Sequence, residues 1–177
     1  MIRWLCSVLA ATAVMISHAA AIEAGEIVGR ASVVDEDTLD IHGARVRLCG
    51  VDAPEADQLC RGDDSLPYRC GSSAANKLDA FISRRVVRCS QKDVDQYGRR
   101  VARCALDATD LGEWLVEGLA LDWPRYSGGR YDAPQNEAER TGRGLWAGRY
   151  VEPWRYRSCI RAGGRPAGCS DDSKLHP

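Results

Sequence analysis

The sequence predicts an α+β, mainly β, fold: a five-stranded Greek-key barrel of the OB type with about three helices. Two observations predict it. Five short segments have the apolar alternation or content of strands, and a helical segment separates the third of them from the fourth. The chain has 177 residues and no internal repeats. We therefore expect one barrel domain over residues 22–148, between an N-terminal leader and a C-terminal tail.

The first three strands are expected at Glu26–Val34, Asp37–Gly43 and Arg45–Val51. Gly29 marks a possible bulge in the first strand. In the second strand Asp37 shares the parity of Leu39 and Ile41, so it faces the core, where a carboxylate needs a cation. Arg47 lies in a strand with two partly buried faces and needs an anionic partner in turn.

The remaining elements are a polar loop over 56–69, a helix capped by Ser72 or Ser73 and ending near Ile82, strands Val86–Cys89 and Arg99–Leu106, a helix from Asp110 to about Gly118, and a helix from Asp132 to Gly144. Asp110 and Glu113 form a capping box for the second helix.

Residues 149–177 are rich in Arg, Gly and Pro, and we expect an extended tail there, held by a disulfide.

The first 21 residues have the composition of a secretory signal peptide. Arg3 precedes an apolar run from Trp4 to Ile16, and Ala19-Ala20-Ala21 fits a small-residue cleavage site. The apolar run is too short to span a bilayer comfortably. We expect cleavage after Ala21, a secreted or periplasmic protein with no stable membrane association, and a monomer.

Seven cysteines follow the leader, and export favours disulfides over zinc ligation because none has C-x-x-C spacing. The sequence leaves the connectivity open. Three pairs fit their positions best: Cys60 with Cys70 around the loop, Cys89 with Cys104 across two neighbouring strands, and Cys159 with Cys169 in the tail. Cys49 then remains as a small buried apolar residue.

Charge is distributed unevenly along the chain. Residues 22–80 contain 6 basic and 12 acidic residues, and residues 81–177 contain 17 basic and 13 acidic, giving formal charges of −6 and +4. An acidic first half and an arginine-rich second half fit a cation site that faces a phosphate-binding wall. A mixed, solvated surface is the alternative. A processive binder of duplex DNA would be far more basic.

Oxygen ligands of the kind that calcium prefers gather at the ends of the strands. Asp37 opens the second strand, and Asp52 and the carbonyl of Ala53 follow the third. Arg47 offers a planar fork for two phosphate oxygens. The residues alone leave a second interpretation open, in which the acids cap turns and Arg47 pairs with one of them at the surface.

Four segments in this order resemble the staphylococcal nuclease (thermonuclease) family: VVDEDTLDIHGARVRLCGVDAPE at 33–55, DQYGRRVA at 95–102, LVEGLA at 115–120 and GLW at 144–146. The resemblance covers about Ile27 to Trp146. It implies an OB-fold barrel that hydrolyses phosphodiester bonds of DNA and RNA with Ca²⁺, so nucleic acid is the expected partner.

The resemblance also implies a role for individual residues. The carboxylates of Asp37 and Asp52 and the carbonyl of Ala53 would bind calcium. Glu55 would orient or deprotonate the attacking water, and the candidate phosphate-binding residues are Arg47 and Arg99. Candidates for the substrate-contacting tyrosines are Tyr97, Tyr126 and Tyr131. Two positions depart from the family pattern: Glu36 replaces a glycine, and Gln96 stands where a lysine is found.

A competing hypothesis is a non-catalytic OB-fold module of the cell envelope that binds an oligonucleotide, an oligosaccharide or a protein. The modest net charge and Glu36 favour it. A pure binding module has no evident need for five such groups at once, which favours the nuclease: Asp37, Arg47, Asp52, Glu55 and Arg99.

The positions of the histidines bear on the class of enzyme, and the tryptophans bear on the core. The three histidines lie in the leader, a turn and the tail, at positions 18, 42 and 176, which argues against a histidine-dependent triad or a zinc hydrolase. Four tryptophans are expected in the core rather than stacked on bases: Trp114, Trp123, Trp146 and Trp154.

Overall fold

The computed structural model describes residues 25–171, so the expected signal peptide lies outside the described residues. The strands are β1 Glu26–Asp35, β2 Thr38–Ile41, β3 Ala44–Leu48, β4 Val51–Asp52, β5 Leu59–Arg61, β6 Pro67–Arg69, β7 Val86–Val94, β8 Arg100–Leu106, β9 Thr109–Asp110 and β10 Leu121–Asp122. The helices are α1 Cys70–Ile82, α2 Leu111–Val116, α3 Pro124–Ser127, α4 Asp132–Thr141, α5 Pro153–Arg161 and α6 Pro166–Cys169, with a 3₁₀ turn at Gly144–Ala147.

Five strands close into a barrel in the order β3-β2-β1-β7-β8. The pairs around the sheet are antiparallel, and a parallel pairing of β3 with β8 completes the circle, with Arg47 opposite Val101. Alternate residues of each strand point inward and fill the barrel, and α1 contributes Leu78 and Ile82 to the same core. The predicted mainly β barrel of the OB type is confirmed. The three predicted helices correspond to α1, α2 and α4.

Two strand predictions need correction. Gly29 is not a bulge: it pairs in register with Val87, and a Cβ there would collide with the imidazole of His42. The irregularity in β1 lies instead between Val33 and Asp35. The predicted third strand is split into β3 and β4, because the chain turns at Gly50 with φ of 84°.

The polar loop after β4 is more structured than predicted. It contains the β5–β6 hairpin, and α1 begins directly after it, at Cys70. Neither Ser72 nor Ser73 caps this helix. The N-cap position is Arg69, and the Ser72 hydroxyl donates to the carbonyl of Ala56 at 2.7 Å. The first turn of α1 is thereby fixed to the loop.

All three predicted disulfides are present. Cys60 bonds to Cys70, Cys89 to Cys104 directly across the β7–β8 ladder, and Cys159 to Cys169. Cys49 is the free cysteine among residues 25–171 and is buried, as predicted. No helix in this range is long and apolar enough to cross a membrane.

The prediction of an extended tail is wrong. Residues 153–161 and 166–169 form α5 and α6, and both helices begin with a proline at the first turn. Val151, Tyr156 and Cys169 form a small hydrophobic cluster of their own. This cluster holds the C-terminal segment as a folded layer rather than a loose extension.

Candidate active site

Asp37 and Arg47 form the first part of the site. Asp37 precedes β2 and is 8% exposed, and its Oδ2 lies 2.9 Å from Nη2 of Arg47. The β2–β3 register places Thr38 opposite Arg47, which brings the two side chains together. Burial raises the pKa of Asp37 to about 6, and the guanidinium opposes that rise. The expectation that each residue needs a partner of opposite charge is confirmed.

Asp52 lies on β4 and is fully buried, held by the pairing of β4 with β10. Nη2 of Arg47 lies 3.7 Å from its Oδ1. A second arginine binds it more closely: Arg157 of α5 donates from Nη1 to Oδ1 at 2.9 Å and from Nη2 to Oδ2 at 2.8 Å. Both carboxylate oxygens of Asp52 therefore accept hydrogen bonds from one guanidinium.

Glu55 lies in the loop after β4. Its Oε1 accepts a hydrogen bond from Nη1 of Arg157 at 3.0 Å, and its backbone N–H donates to Oε1 of Gln58 at 3.2 Å. A Cβ on Gly71 would collide with the carbonyl of Glu55, so this glycine lets α1 press directly on the loop. The ionic side chains make one continuous chain: Asp37, Arg47, Asp52, Arg157 and Glu55.

A pocket of about 620 Å³ opens beside this chain. Its polar and aromatic lining includes Arg47, Arg99, Lys92, Tyr97, Trp123 and Tyr126. Because Arg47 both lines the pocket and binds Asp37, it joins the pocket to the buried acids. Asp52 and Glu55 are not among the residues that line the pocket; Asp52 connects to it through Arg47, 3.7 Å away, and Glu55 connects to Asp52 through Arg157.

The turn after β7 presents Arg99 to the pocket. Asp95 accepts from the backbone N–H of Arg99 at 2.9 Å and from its Nε at 2.7 Å. Gly98, with φ of 78°, allows the tight turn between them. The guanidinium of Arg99 lies 5.6 Å from the ring of Tyr97. Arg99 is thus oriented by a carboxylate of its own turn.

The aromatic candidates separate clearly in the structure. Tyr97 and Tyr126 are 74% and 49% exposed and line the pocket. Tyr131 is 1% exposed and donates its hydroxyl proton to Asp110 at 3.1 Å, so its position does not support a substrate contact. Trp123, expected in the core, instead lines the pocket with its ring 6.0 Å from the guanidinium carbon of Arg47.

The donor chemistry at Asp37, Asp52 and Ala53 suits calcium, but the arrangement does not fit the ion in this conformation. Both oxygens of Asp52 bind Arg157, and Oδ2 of Asp37 binds Arg47. Among residues 25–171 no three His, Cys, Asp or Glu side chains are grouped as a metal site. Guanidinium groups neutralise these acids in the structure described.

Sequence reasoning missed Arg157. It lies 105 residues after Asp52, in a segment expected to be extended. The one available signal was the arginine excess of the second half of the chain, which does not distinguish Arg157 from its neighbours Arg155 and Arg161.

The fold and the site define a closed OB barrel with a cationic, aromatic pocket that suits phosphate-bearing ligands. A sequence model of the family described as staphylococcal nuclease homologue matches residues 45–148. The chain belongs to the staphylococcal nuclease family and carries a nuclease-like domain of that family.

Three relatives are 32% to 42% identical to the chain. The chain is 42% identical to the succinoglycan biosynthesis protein ExoI of Rhizobium meliloti over 81% of this chain and 75% of the relative. It is 32% identical to a micrococcal nuclease of Shigella flexneri over 75% of this chain and 79% of the relative. A probable endonuclease, LCL3 of Komagataella phaffii, is 33% identical over 57% of this chain and 48% of the relative.

Proposed function

We propose that this protein is an exported nuclease that hydrolyses phosphodiester bonds of DNA and RNA by attack of water on phosphorus. One observation carries the proposal: Arg47 belongs at once to the open pocket and to the chain of buried acids. A phosphate bound in the pocket by Arg47 and Arg99 would therefore lie next to the carboxylates that chemistry on phosphorus requires. The family assignment and the nuclease names of two relatives support it.

Each of these residues has its own role in the proposed reaction. Arg47 and Arg99 bind the non-bridging phosphate oxygens and meet the charge that develops on them. Glu55 accepts a proton from the attacking water; Arg157 binds one of its two carboxylate oxygens, Oε1, and the side chain of Glu55 is 34% exposed. The exposed rings of Tyr97 and Tyr126 offer surfaces for sugar and base.

Calcium is the cofactor that we propose for this activity, with Asp37, Asp52 and the carbonyl of Ala53 as its ligands. These residues do not fit the ion while Arg157 is docked, so the proposal requires Asp52 to be released first.

A digest of denatured DNA and of RNA, with calcium or with a chelator, tests the proposal. We expect cleavage with calcium and a loss of about 100-fold or more in Glu55→Gln, because the variant lacks the general base. Glu113→Gln, an exposed acid on α2, is the matched control and should cleave like the parent. Equal cleavage by Glu55→Gln and the parent would contradict the role of Glu55.

A non-catalytic binding module remains the second candidate, favoured by one observation. Arg157 binds both Asp52 and Glu55, which leaves the acids paired as in a purely structural cluster. The relative named for succinoglycan biosynthesis makes a succinoglycan oligosaccharide a sensible probe alongside a DNA oligonucleotide. Calorimetric binding of either probe, with no cleavage at any calcium concentration, would support the module over the nuclease.

Export to the periplasm or the medium is part of the proposal, supported by the three disulfides. The mass of the protein recovered outside the cytoplasm should correspond to a chain that begins at Ile22. Gel filtration of that protein should give a monomer. A chain that keeps its first 21 residues would contradict the cleavage.

A further inference from the structure

Arg157 makes three charge-assisted hydrogen bonds to two acids of the site. It uses both hydrogens of Nη1, one to Asp52 and one to Glu55, and one hydrogen of Nη2, to Asp52. The lengths are 2.8 to 3.0 Å. The side chain of Arg157 is 27% exposed and that of Asp52 is 1% exposed, so the guanidinium closes the acid off from solvent.

The C-terminal segment that carries Arg157 is held against residues 57–59, shortly after Glu55, by hydrogen bonds that do not involve Arg157. Three of them are Tyr156 Oη to Asp57 Oδ1 at 2.8 Å, Gln58 Nε2 to the carbonyl of Val151 at 2.5 Å, and the Leu59 N–H to Ser170 Oγ at 2.9 Å. The Cys159–Cys169 disulfide ties α5 to α6. The backbone position of Arg157 is therefore fixed by the folded C-terminal segment, independently of the hydrogen bonds that its side chain makes.

We propose that Arg157 is an internal competitor for the cation site, so that docking of α5 and binding of a divalent cation at Asp52 exclude each other. This inference rests on the metal role of Asp52 in the proposed function. A cation at Asp52 needs at least one oxygen that Arg157 now holds. Two guanidinium groups already lie beside this carboxylate, Arg157 at 2.8 Å and Arg47 at 3.7 Å, so a further cation would be repelled by both. While α5 is docked, Arg157 blocks the cation site.

Arg157 could either compete with a cation for Asp52 or take over the role of the metal. Its hydrogen bonds favour competition. Three of the five N–H groups of Arg157 are donated to protein acids, so few remain for a phosphate. Arg157 also holds Glu55, the proposed base. Arg157 thereby occupies one of the two carboxylate oxygens of that base.

Calcium binding to the full chain after signal removal, measured by calorimetry, tests the proposal without reference to catalysis. Arg157→Gln should bind calcium about tenfold or more tightly than the parent, because a docking equilibrium of only 10:1 lowers the apparent affinity by that factor. Arg155→Gln removes the same charge from the exposed face of α5 and should bind like the parent. Arg157→Lys, a cation without the planar fork, should lie between them.

Hydrogen exchange provides the reciprocal measurement. Saturating calcium should lower the protection of the α5 amides in the parent, since the ion can bind Asp52 only after Arg157 has left. Circular dichroism confirms that each variant is folded. If Arg157→Gln fails to fold, the exchange experiment on the parent still decides.

Three results would overturn the proposal. One is equal calcium affinity in the parent and a folded Arg157→Gln variant. Another is calcium binding to the parent with unchanged protection of α5, and the third is nucleic-acid cleavage that needs Arg157 and proceeds in chelator. Failure of the proposed nuclease is recognised separately, because Arg157→Gln would then bind calcium more tightly and still not cleave.

Discussion

The pairing of Arg47 with Asp37 can be tested by its effect on stability. Replacing Arg47 with methionine keeps most of the apolar length of the side chain but removes the cation. The carboxylate of Asp37, 8% exposed, then loses the partner at 2.9 Å. Removing one member of a buried ion pair typically costs 3–5 kcal/mol. Because the side chain of Arg47 is 23% exposed, we expect the lower end, about 3 kcal/mol.

The partner variant and the double variant complete a thermodynamic cycle. Asp37→Asn should cost less, about 1–2 kcal/mol, because the amide keeps the shape and Arg47 still has Asp52 at 3.7 Å. The double variant should be more stable than the sum of the two losses predicts by at least about 1 kcal/mol, since neither charge is then left alone.

Urea unfolding in chelator, followed by circular dichroism, gives the three free-energy differences. Chelator removes any contribution from a bound ion. The slopes of the free energy against urea should agree among the variants, so that the midpoints report stability. Additivity within about 0.5 kcal/mol would refute the reasoning, because it would mean that Arg47 and Asp37 do not stabilise each other in the folded chain.

Three further predictions concern the packing of the loop, the barrel and a buried acid. Gly71→Ala should lower the free energy of unfolding by about 2–3 kcal/mol and reduce nuclease activity, because the added Cβ would displace the loop of Glu55. Gly168→Ala is the control, because no atom lies within 4 Å of its added Cβ. Replacing Cys89 and Cys104 together by alanine should cost about 3 kcal/mol in urea unfolding, as the two sites are 15 residues apart, and reductant should then have less effect on the variant than on the parent. Burial raises the pKa of Asp122, and the nearby Asp132 adds to the rise. The folded state therefore keeps a proton that the unfolded chain releases as pH rises above the ordinary aspartate pKa of about 3.9, so stability falls with rising pH. The melting temperature of Asp122→Asn relative to the parent should increase from pH 4 to pH 8. A constant difference across that range would contradict the assignment.

Local patterns in the sequence were sufficient for much of the barrel and part of the site. Parity along β2 and β3 predicted that Asp37 and Arg47 face buried surroundings and need opposite charges, and the structure pairs them. Spacing across two neighbouring strands predicted the Cys89–Cys104 disulfide. Such inferences succeed because a strand's alternation reports directly on which of its side chains are buried.

The tertiary structure alone decided which charges meet over long distances. Arg157 reaches Asp52 across 105 residues, and Trp123 leaves the core for the pocket beside Arg47. The parallel closure of β3 on β8 likewise has no sequence signature of its own. A helix with a proline start and several arginines has the same pattern whether its arginines face solvent or a buried acid. Only the packing of α5 against the loop of Glu55 determines which arginine meets the buried acid. That packing sets the charge balance of the site.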